Sequence, residues 1–185
     1  FWDAEAGAFF DTASDAESLV TRPRDPADNA TPGGSSLAAD LLLRLAVICG
    51  DAEYQRHAAW VVETHSEAMV RYATAFGHLL QVSDMLVHGA TELALVGDPG
   101  DPALATLAAA AGTRYVPALI VAGGAPGDNT DLALLADRPM QEGKATAYLC
   151  RGYVCEAPAT SPALLVQQLA EVSAASGAQT YTSGG

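Results

Sequence analysis

At residue 91 the hydrophobic period of the chain changes, and this break restricts the available folds more than any other feature. Between residues 35 and 88 apolar side chains recur at helical spacing: Leu37, Leu41, Leu45 and Ile48 in one run, then Tyr54, Ala58 and Val61 in the next. Ser35 or Ser36 is placed to cap the first helix, and Gly50 followed by Asp51 supplies a stop and a start, which predicts a helical hairpin with a very short connection. "SEAMVRYA" and "AFGHLLQVSDMLVHG" suggest a further pair, with Phe76, Leu79, Leu80 and Leu86 or Val87 on its buried stripe. After the break, "ELALVGD" and "YVPALIVAGG" are short runs of strand formers flanking a helical "DPALATLAAAAG". That order predicts a β-α-β unit with a parallel pair and a right-handed crossover. A short helix over 129–137 is expected next, then a hairpin from "ATAYLC" and "YVCEA". A last amphipathic helix starts at Ser161, with Pro162 at its first position.

The fold class is therefore mainly α with a small α/β part, divided into residues 1–90 and 91–185. Ahead of the first helix, residues 1–34 concentrate acids with aromatics in "FFDT" and turn formers in "RPRDPADNATPGG". They read as a short hairpin followed by a long ordered loop.

Half of the 185 residues are apolar, enough for a substantial core. The 22 acidic against 9 basic residues, net charge −13, disfavour a nucleic-acid surface, because phosphate contacts need clustered cations. No apolar run approaches the roughly 18 residues of a spanning helix, so no membrane partner and a cytoplasmic location are expected. The opening "FWDAEAG" lacks an initiator Met and is already rich in core residues, as expected of a fragment.

The three cysteines are Cys49, Cys150 and Cys155. If Arg151-Gly152 forms the turn of the last hairpin, Cys150 lies opposite Tyr153 and Tyr148 opposite Cys155. The two cysteines are then diagonal neighbours, about 7–8 Å apart by Cα. That is at the disulfide limit of about 7 Å, so a bridge would require distortion. Buried structural thiols are favoured, ahead of a redox pair, with a metal site last. The four histidines (His57, His65, His78, His88) lie in the helical zone without paired ligand spacing, so no metal is expected.

"VGDPGDP" lacks the third glycine of a dinucleotide fingerprint and the Lys-Ser/Thr of a phosphate loop; a plain strand-to-helix turn is favoured and no cofactor is expected. Asp84 and His88, one helical turn apart, favour a surface pair over acid–base work. Asp28 and Asn29 precede a helix N-terminus, where a carboxylate favours backbone amides. A glycosidase mechanism needs two carboxyls across a cleft, one with a raised pKa, and Asp11 and Asp28 are the candidate pair. Asn29 and His78 are the candidate ligand-binding residues beside them. For both aspartates the loop-structuring reading stands ahead of the catalytic one.

Taken in order, "GAFFDTASDAESLVTRPRDPADNATPGGSSLAADLLLRLAVICGDAEYQRHA", "ELALVGD" and "GKATAYLCRGYVCEAP" resemble the C-terminal part of thioredoxin-domain-containing proteins related to spermatogenesis-associated protein and their bacterial YyaL-like homologues. The resemblance implies a thioredoxin-like domain followed by a six-hairpin glycosidase-type barrel, an (α/α)6 toroid. This chain would supply about four helices of the toroid's twelve, and its hairpins would expose the faces that meet the absent ones. It departs from the family pattern at Gly7-Ala8, where two glycines are usual, and at Pro32-Gly33-Gly34-Ser35-Ser36, where Pro-Ser-Gly-Asn-Ser is frequent. Two functions follow from the resemblance. One is an enzyme or binding protein for a carbohydrate-like small molecule, using Asp11, Asp28, Asn29 and His78. The other is a non-catalytic scaffold or interaction module for the remainder of the full-length protein, including its thioredoxin-like domain.

Overall fold

The computed structural model describes residues 1–17, 20–127, 132–152 and 154–178. Two compact units divide it: Phe1–Ala46 with Asp51–His88, and Val47–Gly50 with Gly89–Gly185.

In the first unit, β1 (Trp2–Asp3) and β2 (Ala8–Phe9) form a minimal antiparallel hairpin, pairing Trp2 with Phe9. Gly7 lies beneath the indole of Trp60 at φ 60°, and a Cβ there would fall 2.0 Å from the indole nitrogen, so only glycine fits. Trp2 packs edge-on to Trp60 and His57, with ring centroids 5.6 and 4.6 Å apart. The loop that follows is held by Arg22 and Arg24, whose guanidinium carbons lie 3.8 and 4.3 Å from the Phe10 ring centroid.

Three helices complete this unit: α1 (Gly34–Cys49, of which residues 47–49 count with the second unit), α2 (Ala52–Arg71) and α3 (Gly77–His88). They match paired hairpins of an incomplete (α/α)6 toroid. Gly50 (φ 71°) ends α1, and the Asp51 carboxylate caps α2 by accepting from the Glu53 amide. The separate helix expected around "SEAMVRYA" is absorbed into α2. No Gly or Pro lies between 52 and 71, and Ala58, Val61, His65 and Met69 continue one buried stripe. In α1 the inward face is Ser36, Ala39, Leu43 and Ala46, while Leu37 and Leu41 point outward. Ser35 and Ser36 sit inside the first turn, not at the cap position.

The second unit is built on a sheet of order β4-β3-β5-β6, with β3 (Thr91–Val96), β4 (Leu119–Gly124), β5 (Thr146–Arg151) and β6 (Val154–Cys155). β3 is parallel to β4 and antiparallel to β5. Asp101 caps α4 (Pro102–Ala111), with Pro102 at the first position, so "VGDPGDP" is a strand-to-helix turn. α5 (Pro162–Ala178) begins at Ser161, whose hydroxyl accepts from the Leu164 amide. Leu93 and Leu95 of β3 and Ala147 and Leu149 of β5 share one sheet face and pack with Leu107, Leu165 and Leu169 of the helices. On the opposite face lie a 3-10 turn (Ala133–Leu135) and the chain that follows it. This turn is what forms of the helix expected over 129–137; residues 129–131 lie outside the described residues.

Candidate functional site

The sequence candidates belong to the first unit. Asp28 is 9% exposed, and its carboxylate closes the loop onto α3. Oδ1 accepts from the Gly33 amide at 2.8 Å; Oδ2 accepts from the amides of His78 at 2.8 Å and Leu79 at 3.1 Å, the first turn of the helix. Burial pushes the carboxyl upward, but the amides of Gly33 and Leu79, the nearby Ser36 hydroxyl and the His78 amide outweigh it and hold its pKa below the ordinary value. Asp28 is thus a helix cap supplied from about fifty residues away in sequence, and it stays ionised.

Asp11 is exposed, and its Oδ2 accepts from the Asp25 amide at 3.0 Å. Its Oδ1 would lie 3.3 Å from a Cβ at Gly34, while Asp28 Oδ1 would lie 3.6 Å from one at Gly33, so the two carboxylates flank adjacent glycines at the start of α1. Asn29 is exposed and donates weakly to Asp25, at 3.4 Å. His78 is half-buried, its Nε2 3.5 Å from Asp40 Oδ2, and Asp40 also receives Arg44 at 2.9 Å. Of the other histidines, His65 is buried with Nδ1 2.8 Å from the Val61 carbonyl, and His88 meets Asp84 on the surface at 2.9 Å.

A second constellation, in the second unit, corrects the reading of the cysteines. Arg151 pairs with Val154 and Cys150 with Cys155, so the turn starts at Gly152 (φ 55°), one residue later than expected. Tyr153, expected opposite Cys150, lies outside the described residues. The Glu156 amide donates to the Leu149 carbonyl, which leaves the neighbouring cysteine pair at a non-hydrogen-bonded position, where opposed Cα atoms come closest. The cysteines are 3.9 Å apart by Cα and form a disulfide. They are not two free buried thiols: Cys150 is buried, Cys155 is exposed, and Cys49 is the free thiol.

Around this disulfide, Arg138 Nη1 lies 3.5 Å from Cys150 Sγ, and its guanidinium carbon 5.7 Å from the Tyr148 ring centroid. Gln141 donates to the Tyr148 hydroxyl at 2.9 Å, and that hydroxyl donates to the Pro139 carbonyl, tying the Arg138 segment to β5. Glu92 stands opposite Cys150 in the β3–β5 register. Burial raises its pKa, partly countered by Arg138. Arg138 and Pro139 also line an open cleft of about 670 Å³ with residues 125–127 and 135–137. Arg138, Glu92 and Gln141 carried no sequence signal, since none belongs to a motif and their proximity depends on strand register. Among the described residues no group of three His, Cys, Asp or Glu side chains could hold a metal ion, and no helix is long and apolar enough to cross a membrane.

No family model matches the chain, and no solved structure matches it. It is similar to spermatogenesis-associated protein 20 of Homo sapiens and of Rattus norvegicus, 28% identical to each over 88% of this chain and 21% of theirs. An uncharacterized protein of Caenorhabditis elegans is 27% identical over 93% of this chain and 23% of its own. The chain spans about a fifth of the length of the curated relatives it matches, and its homology to them is distant.

Proposed function

We propose that this chain is the C-terminal scaffold or interaction part of a longer protein with a thioredoxin-like domain, and that its helical unit packs against the remainder of that polypeptide. The observation that carries this reading is the set of large apolar side chains left uncovered on the helices. Leu37 and Leu41, one turn apart on α1, are 50% and 57% exposed, and Leu80 and Val87 of α3 are also exposed. The length of the relatives, about five times that of the match, supplies the polypeptide to cover it. A Leu37→Glu, Leu41→Glu double variant should destabilise the full-length protein by about 3 kcal/mol, the worth of burying two leucines. The chain alone should change by less than about 0.5 kcal/mol per site, as exposed positions do. Equal effects in both contexts, measured by denaturant unfolding, would remove the reading.

A second reading assigns a polar, carbohydrate-like ligand to Asp11, Asn29 and His78. It is supported by the two carboxylates flanking Gly33-Gly34 and by a His78 Nε2 that lies 3.5 Å from Asp40 Oδ2 without closing a hydrogen bond. Calorimetric titration of the full-length protein with simple sugars should then detect binding that Asp11→Asn weakens about tenfold, the loss of one charge-assisted hydrogen bond. Binding that is absent, or indifferent to Asp11→Asn, would end it.

A further inference from the structure

We propose that the Cys150–Cys155 disulfide is a thiol–disulfide exchange site whose substrate is an external dithiol, with Cys155 as the sulfur attacked and Cys150 as the leaving thiolate received by Arg138. The inference is independent of the function proposed above. It rests on an asymmetry between the two sulfurs. Cys155 lies on β6, an edge strand, and is an exposed residue, which makes it the side from which an incoming thiolate would approach. Cys150 is 4% exposed, and a thiolate released there would be penalised by burial unless a cation met it. The Arg138 guanidinium, always charged, is already 3.5 Å from that sulfur and is held there by the Tyr148 ring and by the chain tied to Tyr148. Glu92, across the register, is the acidic group facing the same position, and Arg138 offsets it. A disulfide closing a loop of sequence separation 5, inside an already paired hairpin, has little leverage as a structural clip.

The exchange balances in two steps. A thiolate of the dithiol attacks Cys155 Sγ, forming a mixed disulfide as the Sγ–Sγ bond breaks, and the electron pair leaves on Cys150, which is then protonated from solvent. The second thiol of the reagent, deprotonated, attacks the reagent's own sulfur in the mixed disulfide and expels Cys155 as a thiolate, which takes up a proton from solvent. The reagent leaves as its disulfide, and two electrons and two protons have passed to the cysteine pair.

The test uses the unaltered chain with reduced glutathione, a monothiol that has no second thiol of its own with which to carry out the second step, so that the mixed disulfide can be trapped. After alkylation by iodoacetamide and peptide mapping, glutathione is expected on Cys155 and the alkyl group on Cys150. Dithiothreitol should instead yield two alkylatable thiols under native conditions. Arg138→Met should slow this reduction about threefold to tenfold, because the leaving sulfur loses the cation that meets its developing negative charge, and Arg138→Lys should restore most of the rate. Glutathione found on Cys150, a rate unchanged in Arg138→Met, or a disulfide that resists dithiothreitol until the chain unfolds would each overturn the proposal.

Discussion

Asp28→Ala is expected to destabilise the first unit by about 2–4 kcal/mol, combining the loss of a helix cap with buried amides left unpaired. The substitution strips the hydrogen-bond acceptor from Gly33 at one end of the loop and from His78 and Leu79 at the start of α3. Asp28→Asn should cost nearly as much, because its NH2 group would face one of these donors. The pH dependence follows from the direction of the shift. The folded-state pKa is depressed, so the contribution is fully present above the unfolded carboxyl pKa of about 3.9 and is lost as pH falls through the lower folded value. Denaturant unfolding of the parent and Asp28→Asn should show the gap between them narrowing as pH falls from neutral through the acid range below the ordinary carboxyl value. A constant gap between them would show that the carboxylate is not the stabilising group.

Leu149→Ala should cost about 3 kcal/mol in the second unit, within the range of buried leucine truncations. Leu149 is 1% exposed, stands opposite Leu93 in the β3–β5 register, and faces the layer formed by α4 and α5. Sheet backbone on both sides fixes its Cα, so the cavity has little freedom to collapse. Amide exchange in β3 and β5 is the appropriate measurement, because a chain with two compact units need not unfold in one step. Exchange in these strands should accelerate by about a hundredfold. Acceleration of less than tenfold would mean that the layer repacks.

Local signals were sufficient for much of this architecture. The caps at Asp51, Asp101 and Ser161 act on amides within three residues and Pro102 presets its own φ, so sequence neighbours alone account for where α2, α4 and α5 begin. The switch of period at residue 91 likewise separates helical hairpins from the β-α-β element, because side-chain periodicity is a property of each segment. Asp28 was legible as a carboxylate near a helix start; that the helix was α3, not α1, was not.

Tertiary structure decided what depends on remote partners. An α1 that carries leucines on several sides offers more than one apolar stripe, and the face with Ala39 and Ala46 turned inward, leaving Leu37 and Leu41 outside. In the last hairpin, shifting the turn by one residue changed the cysteines from diagonal to directly opposed, and composition scarcely distinguishes those registers. Arg138 reaches Cys150, and Glu92 faces it, only once β3 and β5 have paired. Helix starts and strand periods are set by short-range sterics and hydrogen bonds that every segment carries with it, whereas which faces and sulfurs meet is set by which long-range pairing repays the entropy of closing the chain.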